Sequence, residues 1–304
     1  MRLSEINYKI SQLNIVTHGL LNTYASSDKQ KIYNINKFKL LIKEIENKNI
    51  DFYEREIAVI KKSLIYETTS DTLLIENIMG NSIKELSDYI INSLDALNIV
   101  LNKITPERNE NSFLIKLPKP NDFEELIKDM SKIQKYLQLV VSDKKINSSM
   151  MINNWEYGSY WIDIIIGTSS ALSLIGSITW SAAYISKELQ KNKEANLYLE
   201  KIGHENEHMK KVKETQIKYI DKLYENEILN IQENYFDYEL NNERNTGLKK
   251  TIELFADILN RGGEFQPSLI APEKMRKNFP DMNNLSYLES QVKRIAETTE
   301  SGQE

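Results

Sequence analysis

Apolar positions recur at three- and four-residue steps along most of the chain, the spacing that gathers side chains on one face of an α-helix. Leu3, Ile6, Ile10, Leu13 and Val16 form the first stripe. Helical patterns follow over 31–48, 52–66 and 72–104, the last marked by Ile75, Ile78, Ile83, Leu86, Ile90, Leu94, Leu97 and Val100. Pro106 and the polar run 107–111 close this section. A bundle of antiparallel helices over 1–106 is the simplest way to bury such stripes.

The period then changes. Phe113-Leu114-Ile115-Lys116-Leu117 is a short β-prone run stopped by Pro118 and Pro120, and Asn121 or Asp122 offers an N-cap for a helix reaching Val141. Two aromatic and β-branched runs, 146–154 and 159–166, flank Trp155-Glu156-Tyr157-Gly158 and read as a hairpin whose marker residues are Trp155, Tyr157, Gly158 and Trp161. The segment 112–166 is thus expected to be a small strand-helix-hairpin insert. Beyond it, 187–262 reads as a long charged helical region, with one long or slightly broken helix to about residue 243. Its pairing seam holds Met209, Val212, Ile217, Ile220, Leu223, Ile228, Ile231 and Tyr235. Gly247 offers a break before a helix over 248–260, and 263–304 reads as irregular with a short helix at 285–296. The fold class is mainly α, with one uncharged helix, 167–186, set between the insert and the charged region.

That uncharged helix carries the functional reading. Residues 164–186 contain no charge, and about 20 residues suffice to span a bilayer. Aromatics flank the run in the manner of an interfacial belt, Trp155, Tyr157, Tyr160 and Trp161 before it, Trp180 and Tyr184 near its end. Eight of its 23 residues are Ser or Thr. Ser169, Ser173, Ser177 and Ser181 lie at four-residue steps with Gly176 beside them, and Ile175 and Ile178 belong to a second, apolar stripe. Small residues at this spacing let helices approach closely, in a membrane or in a core.

Composition narrows the chemistry. The 304 residues are 40% hydrophobic and 27% charged, enough for a packed core, and the net charge of −5 gives no pull towards nucleic acid. The absence of cysteine removes thiolate chemistry and disulfides. The N-terminus carries no targeting pattern, which places the expected protein in the cytoplasm, at or in the cytoplasmic membrane. Of the 3 histidines, two stand in His204-Glu205-Asn206-Glu207-His208. Helical i and i+4 imidazoles can share one zinc while the intervening Glu polarises water. By letter these five residues resemble the zincin motif, which implies His204 and His208 as ligands and Glu205 as the catalytic group. Against this, Glu207 sits inside the motif, Lys201, Lys210 and Lys211 surround it, and no further histidine follows. The reading is a solvated turn of a charged helix, with no cofactor expected.

The leading expectation is a non-enzymatic, self-associating protein that engages a membrane through the uncharged helix, as a scaffold or membrane-perturbing effector. The alternative is a soluble helical interaction module with that helix in its core; a zinc hydrolase stands third. The expected partners are further copies of the chain, a membrane, and another protein through the long helix.

Overall fold

The computed structural model describes residues 2–13, 21–26, 28–156, 160–201, 207–236, 241–282 and 284–290. The chain divides into two compact units, Met1–Glu107 and Arg108–Glu304, each with its own hydrophobic core. Helix dominates both, and the mainly α class holds.

The first unit comprises α1 (Leu3–Ser11), β1 (Asn22–Ser26), β2 (Lys29–Tyr33), α2 (Ile35–Asn47), α3 (Glu54–Lys61), the single turn α4 (Leu64–Glu67), β3 (Thr72–Glu76) and α5 (Asn77–Ile104). Helix α2 buries Ile35, Phe38, Leu41, Ile42 and Ile45, an i, i+3, i+7 stripe that packs with Ile83, Ile90 and Leu94 of α5 in one core. The helical expectation for 31–33 and 72–76 is corrected: both are strands of an antiparallel sheet ordered β1-β2-β3. Leu73-Leu74-Ile75 is too short to distinguish the two periods, and its strand partner lies some forty residues upstream, with Ile32 opposite Leu73. Asn34, at φ 65°, takes the left-handed turn that ends β2 and starts α2.

The second unit comprises β4 (Ser112–Lys116), α6 (Phe123–Val141), β5 (Met150–Trp155), β6 (Trp161–Ile166), α7 (Ser169–Lys201), α8 (Glu207–Tyr235), α9 (Asn242–Asn260), β7 (Glu264–Pro267) and the turn α10 (Glu273–Arg276). The cap of α6 is reciprocal: Asp122 accepts from the backbone N–H of Glu125 at 2.8 Å, and the Glu125 carboxylate accepts from that of Asn121 at 2.8 Å. The sheet is antiparallel in the order β5-β6-β4-β7. Strand β7 comes from the stretch expected to be irregular. The Phe255 ring of α9 stacks on Phe265 of β7 with centroids 4.1 Å apart, which explains why this short strand is held.

The long or slightly broken helix expected after residue 187 is also corrected: it is two antiparallel helices. Helix α7 continues from the uncharged segment to Lys201, and α8 returns antiparallel to it, so that Ser177 meets Tyr235 and Ser181 meets Glu227. The antiparallel pairing lets both helices of the charged region use one core. Helix α9 runs through Gly247 without a break and packs on both α6 and α7. Its N-cap, Asn241, accepts from the N–H groups of Glu243 and Arg244.

Candidate functional site

The first half of α7 is the centre of the second unit. Leu172, Leu174, Ile175, Ile178 and Ala182 are fully buried. Each member of the serine stripe has a partner within the unit. The Ser169 hydroxyl donates to Asn111 Oδ1 at 3.1 Å, Ser173 to the Met275 sulfur, and Ser181 to Glu227 Oε2 at 2.6 Å; Ser177 shares a 2.9 Å hydrogen bond with the Tyr235 hydroxyl. Thr179 bonds back to the Ile175 carbonyl at 2.8 Å. Gly176 lets the segment at Asn278 and Phe279 lie against the helix: a Cβ there would stand 2.9 Å from Asn278 Cβ and 3.0 Å from the Phe279 ring.

The membrane-engaging reading is therefore corrected. Among the described residues no helix is long and apolar enough to cross a membrane. The serines and threonines lower the hydropathy of 167–186, and the apolar residues between them are spent on an internal core. Of the aromatics expected to form a belt, Trp161 and Trp180 are packing and anchoring groups, whereas Trp155 and Tyr160 are exposed. The Trp180 indole N–H donates to the Glu289 carbonyl at 2.8 Å, and Trp161 is 7% exposed with the Lys116 ammonium 6.0 Å from its ring centroid. Lys187 adds a 2.7 Å bond to the Leu288 carbonyl and Ser290 a 2.5 Å bond to Glu227 Oε1, so residues 288–290 are clipped across α7 and α8.

Electrostatics follow from this burial. Glu227 is 1% exposed, and loss of solvent raises its carboxyl above the ordinary value, with the hydroxyls of Ser181 and Ser290 pulling the other way. Burial pushes Tyr224 up to about 12, aided by Glu253 and Asp221, and Tyr184 to about 12, aided by Tyr219 and Glu188. Asp143 goes the other way. Burial by itself would raise it, but the Arg244 guanidinium at 2.8 Å, the Lys145 N–H and the charges of Arg244 and Lys144 leave it below the ordinary value. Arg244 also stacks on the Phe236 ring at 4.6 Å, so it ties the start of α9 both to the end of α8 and, through Asp143, to the turn after α6.

Of the remaining expected site residues, Tyr157 and Gly158 of the hairpin turn and His204 and Glu205 of the zinc motif lie outside the described residues. His208 falls in the first turn of α8. Among the described residues no three His, Cys, Asp or Glu side chains cluster in a way that could hold a metal ion.

The pairing seam is split in two. Ile220 and Ile231 are buried and Leu223 packs against the core, whereas Met209 is half-buried, Val212 is 40% exposed and Ile217 is 63% exposed. Of these, Ile217 faces the second half of α7 across an open groove of about 510 Å³, lined by Leu189, Leu197, Ile217, Ile220, Lys193 and Lys213 among others. Leu189 and Leu197 were not singled out in the sequence. Their i, i+8 spacing was a signal, but dense Asn, Lys and Glu around them hid it. Two helices that are anchored at one end and carry unshared apolar groups at the other make an arm with a concave face.

No family model matches this chain, and no solved structure matches it. The chain is similar to uncharacterized protein YqaP of Bacillus subtilis (strain 168), with 27% identity over 293 residues that cover 92% of this chain and 93% of that protein, so the shared length includes both units.

Proposed function

We propose that this chain is a helical protein–protein interaction module, in which the uncharged part of α7 is core and the far halves of α7 and α8 bind another protein. The observation that supports this reading is the groove between those halves. Its apolar floor of Leu189, Leu197, Ile217 and Ile220, with Lys193, Lys213 and Asp221 beside it, suits the apolar face of an amphipathic partner helix. A third helix laid there would turn a two-helix arm into a three-helix packing unit. Covering a side chain such as Ile217 would contribute about 1.5–3 kcal/mol.

The test places a photo-crosslinking amino acid at Leu197 or Ile217 in cells making the protein, with Tyr24 of the first unit, 70% exposed, as control. A discrete adduct from the arm positions is expected, identified by mass spectrometry as a different polypeptide. No adduct, or the same pattern from Tyr24, would end this reading.

A further inference from the structure

The four-stranded sheet of the second unit treats its two edges differently. The β7 edge is only four residues long, ends in Pro267 and carries Glu264 in an ion pair with Lys116, features that blunt an edge against further pairing. The β5 edge, Met150-Met151-Ile152-Asn153-Asn154-Trp155, has no charge and no proline; its ladder with β6 carries one irregularity between Ile152 and Asn154, so Met150-Met151-Ile152 is its regular stretch. In register, Met150 lies opposite Ile166, Ile152 opposite Ile164 and Trp155 opposite Ile162. Residues opposite one another share a face of the sheet. Ile162, Ile164 and Ile166 are buried, so Met150, Ile152 and Trp155 point to the core side, beyond its last covered strand.

Helix α6 forms the other wall. Phe123, Leu126, Ile127 and Met130 face these β5 residues across a cleft of about 570 Å³. The cleft lies where the inward side chains of one more strand would sit. It stays open: Phe123 is 74% exposed, Ile127 50%, Met151 62% and Ile152 55%.

We propose that a second copy of this chain closes the cleft, its β5 pairing antiparallel with β5 across a two-fold axis and joining two four-stranded sheets into one. Such an axis is perpendicular to the sheet, so both α6 helices lie on the same side and meet across it, each presenting Phe123 and Ile127 to the other. The charges suit this approach. Glu124 stands near the start of the exposed face of α6, Lys128 and Lys135 stand farther along, and antiparallel helices bring unlike charges together. The area suits it too. Phe123, Ile127, Met151, Ile152 and Trp155 expose about 600 Å² per copy, and the backbone pairing adds to this, near the roughly 800 Å² per partner of a standard interface. The surface is separate from the α7–α8 arm and does not depend on its role.

The experiment measures mass in solution by light scattering across a concentration series of the full chain. A dimer of the 35.4 kDa chain is expected, with micromolar or tighter affinity. Ile152→Lys and, separately, Phe123→Glu should each weaken it more than about tenfold. Both positions are exposed, so the thermal midpoint of the monomer at low concentration should not move. A wild-type monomer at every concentration would overturn the proposal, as would a dimer untouched by both variants or one lost on Ile217→Lys instead. A monomer that binds a strand of another protein, and loses it on Ile152→Lys, would give the edge to that protein and overturn the proposal equally.

Discussion

Two acidic residues in the second unit illustrate opposite uses of burial. Glu227 has lost its solvent to the α7–α8 contact, and this burial favours its acid form in the folded chain despite the hydroxyls of Ser181 and Ser290, which donate to the carboxylate and oppose the shift. A raised acid contributes stability that is complete below its ordinary value of 4.5 and is lost as pH rises through the raised value. Glu227→Gln keeps the shape and can still bond both hydroxyls. The stability of the variant relative to wild type, measured by urea unfolding, is therefore expected to climb from about pH 4.5 upward, by at most about 1.4 kcal/mol per pH unit. A difference that stays flat between pH 4 and 8 would contradict the burial of this carboxyl. Asp143, lowered by Arg244, has the reverse sign: its contribution is present above the ordinary value of 3.8 and fades as pH falls through the lowered one.

At the scale of elements, α7 is one helix with two environments. From Ser169 to Ser186 it is enclosed by α8, α9 and the 288–290 clip, and from about Glu188 it carries mostly exposed residues. Hydrogen exchange should follow that division. Amides of 171–185 are expected to exchange only with unfolding of the whole unit, and those of 190–201 and 208–218 at least about a hundredfold faster. Equal protection along α7 would show that something else covers the arm. Much of α7 was legible in the sequence: its limits near Ser169, its missing charge and its serine spacing were all visible. What the serines touch was not, because their partners at Asn111, Glu227, Tyr235 and Met275 lie 46 to 102 residues away. The cap at Asp122 and strands β4, β5 and β6 were readable because turn chemistry and alternation are local. Strand β7 was not, because Glu264-Phe265-Gln266-Pro267 becomes a strand only beside β4 and under Phe255. The charged run after Lys187 suggests one long or slightly broken helix, since periodicity carries no record of where a helix turns back. The groove that supports the proposed function is a product of that reversal.

At the scale of the molecule, two cores divide the chain near Glu107, and each collects its apolar residues from its own side of the boundary. Residues 1–107 and 108–304, made separately, are each expected to unfold in a single cooperative transition by circular dichroism. A fragment that melts without cooperativity would show that its core depends on the other. The first unit draws on the sheet β1-β2-β3 and on helices that are all complete by Ile104.

The late arrival of β7 has a consequence for how the protein is made. Lys116 and Glu264, paired across β4 and β7, stand 148 residues apart, and the clip at 288–290 comes later still. At about 5–20 residues per second, about 7–30 seconds of translation separate the two strands. The first unit can finish folding on the ribosome within that interval. The second cannot, and for those seconds its nascent chain displays the unpaired edge of β4 that β7 will take.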